Sequence, residues 1–70
     1  MRWRKFMVPC DLMLQFAIVI QEYKLQNVIE GVDEDNAEIG LRIAYQGNQK
    51  KLMHELQDFI EDHYHKNGDN

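Results

Sequence analysis

Cysteine, proline and glycine are scarce in this chain of 70 residues, which contains one, one and four of them, respectively. With Cys10 alone, the chain cannot form an intrachain disulfide, so it lacks the framework of small secreted domains and we expect a cytoplasmic location. The scattered glycines do not match a phosphate loop or a dinucleotide fingerprint, and we expect no cofactor. The chain also lacks the roughly 20 consecutive apolar residues of a membrane-spanning helix.

Positive charge is the minority charge, since eight Lys and Arg face twelve Asp and Glu and the net charge is −4. This balance disfavours broad, charge-driven binding to nucleic acid. The cations nevertheless concentrate at the N-terminus, where Arg2, Arg4 and Lys5 surround Trp3. Such a cluster can contact phosphates and stack on a base. We favour the other interpretation, an edge strand whose charges discourage pairing with a second sheet.

The acidic and histidine-containing segments do not indicate a metal site or a catalytic site. On a helix, His54 pairs with Asp58 and Glu61 pairs with His65 at a spacing of four residues, but these pairs lie about two turns apart and cannot share one ion. Cys10 has no histidine beside it in the sequence to activate it as a nucleophile. We therefore expect no bound metal and no enzymatic activity.

An apolar run over residues 12–20, LMLQFAIVI, has Gln15 as its only polar side chain. The run fits a first helix from about residue 12 to residue 24, with Asp11 as its N-cap. It also fits a strand, because apolar and β-branched residues alternate in it with period two. We favour the helix because no Gly, Pro, Asn or Asp lies between Asp11 and Asn27 to turn a strand meander.

On a helix, this run carries apolar residues on two opposite sides. Leu14 and Ile18 lie well away from the side that contains Phe16, and a surface helix of a small monomer normally has a polar side there. Self-association is the simplest way to cover them, and the alternative is a monomer whose own core buries both sides. We expect an interface that includes Leu14, Phe16 and Ile18, with Ala44 from a small-residue face of the sheet.

The remaining elements follow from alternation, turn residues and helical spacing. Residues 3–8 read as a strand that Pro9 ends, and residues 26–32 and Glu38–Tyr45 read as a hairpin joined by an acidic turn. Asn48 is a candidate N-cap for a second helix over residues 49–65. One side of that helix is apolar, and its members recur at helical spacing: Leu52, Leu56, Phe59 and Ile60.

The order strand, helix, strand, strand, helix predicts an α+β fold. We expect a two-layer split βαβ arrangement in which two helices cover one face of a three-stranded antiparallel sheet. It forms a single domain over residues 1–66, followed by a frayed tail over residues 67–70. The expected function is a small cytoplasmic protein-interaction module that forms a homodimer and binds an unidentified protein. A nucleic-acid-associated accessory protein is the alternative.

Overall fold

The structure is a computed structural model that describes residues 1–68. Its elements, in chain order, are β1 (Arg2–Pro9), α1 (Met13–Tyr23), β2 (Asn27–Asp33), β3 (Glu38–Tyr45) and α2 (Lys50–Gly68). A short 3-10 turn precedes each helix, at Cys10–Leu12 and at Gly47–Gln49. The α+β class and the expected order of elements are confirmed.

The three strands form one sheet in the order β1-β3-β2, with β3 antiparallel to both neighbours. Leu41 at the centre of β3 lies opposite Phe6 of β1 and opposite Ile29 of β2. Because β3 lies between two strands that run parallel to each other, the connection through α1 is a split βαβ unit. β1 and β2 are therefore the two edges of this sheet.

The hydrophobic core lies between one face of the sheet and both helices. Phe6 and Phe16 meet edge to face, with ring centroids 5.7 Å apart, and this contact joins β1 to α1. The buried residues of the cluster come from every element except β2: Phe6, Val8, Phe16, Leu25, Leu41, Ile43, Met53, Leu56 and Ile60. Both helices consequently cover the same face of the sheet, as the alternation in β3 predicted.

The apolar run forms a helix and not a strand, over Met13–Tyr23, but the predicted N-cap is wrong. The chain leaves β1 through the 3-10 turn, where the backbone N–H of Cys10 donates to the carbonyl oxygen of Ala37 at 2.9 Å. Asp11 therefore lies inside the turn, Leu12 takes the cap position of α1, and none of the described side chains caps it. Lys24 ends the helix in the left-handed conformation, with φ of 53°.

The start of α2 also differs from the prediction, because Asn48 is not its cap. Gln46 and Gln49 bond reciprocally, and the backbone N–H of Gln46 donates to Oε1 of Gln49 at 2.9 Å. This capping box satisfies backbone donors that a helix start leaves without partners. The helix was expected to end at about residue 65 and continues to Gly68. Residues 69 and 70 of the expected tail lie outside the described residues.

Removing the aromatic ring at the centre of the core should cost most of the protein's stability. We expect Phe16→Ala to lower the free energy of unfolding by about 3–5 kcal/mol, because the fully buried ring leaves a cavity. Phe59→Ala makes the same chemical change on a half-exposed ring and should cost about half as much or less. Urea denaturation of both variants measures the difference, and equal losses would contradict the placement of Phe16 in the core.

Candidate interaction surface

The outer side of α1 carries two apolar side chains that the rest of the chain leaves exposed. Leu14 is 69% exposed and Ile18 is 52% exposed, whereas Phe16 is fully buried. A helix places residues four apart on one side, so Leu14 and Ile18 form one ridge roughly opposite Phe16. We call Leu14 and Ile18 the α1 crest. This placement is consistent with the expectation that Leu14 and Ile18 are covered by a contact outside the chain's own core.

Two other residues of the expected interface lie elsewhere. Phe16 belongs to the core of the chain itself, and Ala44 is buried on the sheet face opposite the helices, across from Trp3. Neither side chain offers surface to a second copy, which corrects the expected contact. The sequence pattern indicated that the run has two apolar sides, but only packing against Phe6 decided which side the core took.

The basic N-terminus is divided between the two faces of the sheet. Because side chains alternate along a strand, Trp3 and Lys5 lie on the face without helices, and Arg2 and Arg4 lie on the helix side. Arg4 stacks over the ring of Phe6, with its guanidinium carbon 5.4 Å from the centroid. The structure therefore does not bring all four predicted nucleic-acid residues onto one surface.

Arg42 of β3 adds a cation to the open sheet face, and sequence reasoning did not include it in this cluster. Its guanidinium carbon lies 5.4 Å from the centroid of the Trp3 ring, and its Nη1 donates to Oε2 of Glu30 at 3.3 Å. Glu30 also lies 3.8 Å from Nζ of Lys5. One carboxylate thus faces two cations, which weakens the positive potential that a phosphate backbone would meet. The alternation of β3 predicted that Arg42 lies on this face, but the sequence did not predict the strand register that brings Arg42 to Trp3.

β2 presents a second exposed apolar surface, which the sequence did not single out. Every residue from Asn27 to Val32 is exposed, and Ile29 and Val32 are 59% and 63% exposed. The register with β3 shifts between Ile29 and Gly31, so that Ile29 faces Leu41 and Val32 faces Ile39. Both side chains therefore lie on the helix side of the sheet, and we call Ile29 and Val32 the β2 edge pair. The alternation of β3 was expected to extend over a half-buried hairpin, yet the helices cover only its β3 strand.

The acidic turn between β2 and β3 is held by its own side chains. Asn36 donates to the Asp33 carboxylate twice, through Nδ2 at 2.9 Å and through its backbone N–H at 3.2 Å. These bonds hold the pKa of Asp33 below its ordinary value, and the bond from the side-chain amide of Asn36 has the larger effect. The turn is thus an Asx-type turn, as the short polar residues predicted.

The chain offers no cluster of metal ligands among residues 1–68. Within that range, no group of three or more His, Cys, Asp or Glu side chains is placed to hold a metal ion. One depression of about 550 Å³ lies between the start of β1 and the start of α2, lined by residues that include Arg2, Tyr45 and Lys50. It is wide open to solvent, so its shape does not define a ligand. The exposed apolar surfaces are therefore the strongest candidates for function.

Comparison with known proteins adds no family to this description. No family model matches the chain, and no curated protein or solved structure matches it. In the part of the chain that the structure describes, neither helix is long and apolar enough to cross a membrane. The fold and its surfaces are consequently the basis for any functional conclusion.

The hydrogen bonds of the acidic turn give a testable pH dependence. The pKa of Asp33 is lowered in the folded chain, so its stabilising effect is present above the unfolded-state pKa and is lost as the pH falls through the folded-state pKa. We expect Asn36→Ala to raise the pKa of Asp33 towards the ordinary value of 3.8, as followed by NMR titration of its carboxyl carbon. Asn48→Ala, which removes an exposed amide elsewhere, serves as the control. An unchanged Asp33 titration in Asn36→Ala would contradict the assignment.

Proposed function

We propose that the protein is a small cytoplasmic interaction module that self-associates through the α1 crest and has no catalytic activity of its own. The observation that carries this proposal is the exposure of Leu14 and Ile18 on the side of α1 opposite the core. Fully burying one large aliphatic side chain stabilises a contact by about 1.5–3 kcal/mol of free energy. A two-fold contact covers the crest of both copies at once, so the gain is counted twice for each residue.

The surroundings of the α1 crest suit contact with an identical helix. Ala17 and Gln21 share its side of α1, since they follow Leu14 at spacings of three and seven residues, and both are exposed. This stripe is uncharged from Leu14 to Gln21, and the first charge on it is Glu22, four residues after Ile18. In an antiparallel two-fold contact centred on the crest, the two Glu22 side chains lie at opposite ends of the contact. The small side chain of Ala17 also allows the two helices to approach closely. An uncharged, partly apolar stripe is therefore compatible with a second copy of itself.

The size of the chain gives a second reason for association. A domain of about this length buries only about 60% of the surface that its unfolded chain exposes, so its core alone supports modest stability. A contact between folded copies adds to stability by mass action. Closed two-fold dimers are the commonest result of such self-association. In this proposal the dimer presents a composite surface to another protein, for example an extended peptide that adds to an open sheet edge.

A nucleic-acid-associated accessory function is the second candidate, and one observation favours it. Trp3, Lys5 and Arg42 share the open face of the sheet, and Trp3 is partly exposed there. Exposed aromatic rings beside cations are the usual platform for single-stranded nucleic acid. Glu30 balances one of the two cations, and Arg2 and Arg4 lie on the other side of the sheet. This electrostatic balance is why we rank this function below self-association.

Charge placed on the α1 crest should break the contact between the two α1 helices. We expect the double variant Leu14→Glu, Ile18→Glu to have half the molar mass of the native chain, because two new carboxylates would face their copies across an apolar contact. Light scattering coupled to size exclusion, over a wide range of loading concentrations, measures the mass. Circular dichroism shows that the variant remains folded, which we expect because both side chains are exposed.

The matched control adds the same charge at exposed positions on α2 and on the turn before it, in the variant Asn48→Glu, His54→Glu. This control should keep the native mass. Equal masses for the native chain and the crest variant at every concentration would overturn the proposed contact.

The single tryptophan of the chain allows a direct test between the two candidate functions. We expect Trp3 emission to remain unchanged when a single-stranded oligonucleotide is added at about 50 mM and at about 200 mM salt. Quenching at the lower salt that weakens steeply at the higher salt, and is lost in Lys5→Gln, would favour the nucleic-acid function instead.

A further inference from the structure

β2 is an edge strand that lacks most of the usual protection of an edge. Natural edge strands are commonly blunted by lysine and other charged side chains, by proline, by bulges or by cover from a helix. Of these, β2 has the irregularity between Ile29 and Gly31 and two acidic side chains. β2 contains no lysine, arginine or proline, and its residues from Asn27 to Val32 are exposed. The helices leave the β2 edge pair, Ile29 and Val32, uncovered although both lie on the helix side. A strand of this kind is suited to pairing with another strand.

The register shift in β2 gives the strand a self-complementary pattern. Residues three apart normally lie on opposite faces of a strand, but the irregularity between Ile29 and Gly31 brings Ile29 and Val32 to the same face. Opposite residues of an antiparallel pair also share one face. An antiparallel pairing of two β2 strands can therefore set Ile29 of each copy opposite Val32 of the other.

We propose that β2 pairs with β2 of a second copy, antiparallel and about a two-fold axis, with Ile29 opposite Val32. The two sheets then form one continuous sheet, and the four side chains of the two β2 edge pairs lie together on its helix side. The β2 edge pair thereby gains the apolar cover that the helices of its own chain do not provide.

The charges along the strand fit this register. It sets Glu30 of each copy opposite Gly31 of the other, so the two Glu30 side chains are diagonal neighbours on the open face. Lys5 and Arg42 of the same chain lie 3.8 and 3.3 Å from each Glu30 carboxylate and offset its charge. Beyond the strand, the acidic turn that follows Asp33 runs towards the segment that precedes β2 in the second copy, where Lys24 is the nearest charged side chain in the sequence. Opposite charges across such a pair stabilise it, and like charges oppose it.

The other edge of the sheet is less suited to a second copy. β1 carries Arg2, Arg4 and Lys5 along its length, so pairing two β1 strands would bring several cations close together. The free edge of β1 has the charged side chains that natural sheets use to prevent pairing. This contrast between the two edges is the reason for assigning the second copy to β2.

This contact is separate from the α1 crest. The inference rests on the proposed function insofar as the chain self-associates, but it uses different residues on a different element. A chain with two unlike two-fold contacts assembles into four or more copies, since each contact joins a different pair. Disrupting either contact alone then leaves a dimer held by the other, and this makes the two proposals independently testable.

The test measures molar mass by light scattering in the crest variant Leu14→Glu, Ile18→Glu, where only the β2 contact should remain. We expect this variant to be a dimer and to become a monomer when Ile29→Lys is added, because the new cation faces Val32 of the second copy. Adding Val32→Glu as well should restore the dimer, since opposite charges then face each other at both ends of the contact.

The control is Val28→Lys in the same background, which places the same charge on the same strand but on its other face. In the proposed register it faces Asp33 of the second copy, so the dimer should persist. A crest variant that is already monomeric, an Ile29→Lys change that leaves the mass unaltered, or a failure of Val32→Glu to restore the dimer would each overturn the β2 contact. If the crest charges do not reduce the native mass but Ile29→Lys in the native chain does, the α1 contact fails and the β2 contact stands.

Discussion

The packing of both helices on one face of a three-stranded sheet is the constraint on which the rest of this structure depends. The edge-to-face contact of Phe6 with Phe16 packs α1 against the first strand. Leu41 and Ile43 of the central strand form the sheet side of the core. Because the core lies between the helices and one sheet face, the apolar residues on the outer side of α1 and on β2 remain exposed to solvent. The candidate interaction surfaces arise in this way.

The chain has more apolar side chains than this single layer can bury. α1 is apolar on two opposite sides, and the core takes only the side of Phe16, which leaves Leu14 and Ile18 exposed. β2 lies at the edge of the sheet beyond the cover of the helices, which leaves Ile29 and Val32 exposed. Exposed apolar side chains that cluster on a small domain are typical of association surfaces. Both proposed contacts thus have one physical origin, the small size of the layer.

Local signals predicted the elements better than they predicted the element ends. Alternation and turn residues placed β3 at Glu38–Tyr45, where the structure has it. The helix N-caps were harder to predict. Asp11 and Asn48 are residue types that often cap helices, but in the structure each lies inside a 3-10 turn. At the first helix, the chain is held by the hydrogen bond from Cys10 to Ala37, which joins residues far apart in the sequence. No local pattern contains that contact.

By itself, the sequence determined the class of the fold, the order of its elements and the existence of an apolar surplus on the first helix, because these follow from periodicity along one segment at a time. The tertiary structure decided which residues form that surplus. It buried Phe16, joined Arg42 to Trp3 and to Glu30, and left β2 uncovered. These outcomes depend on strand register and on the area that two short helices can cover, and both are set by contacts between distant segments.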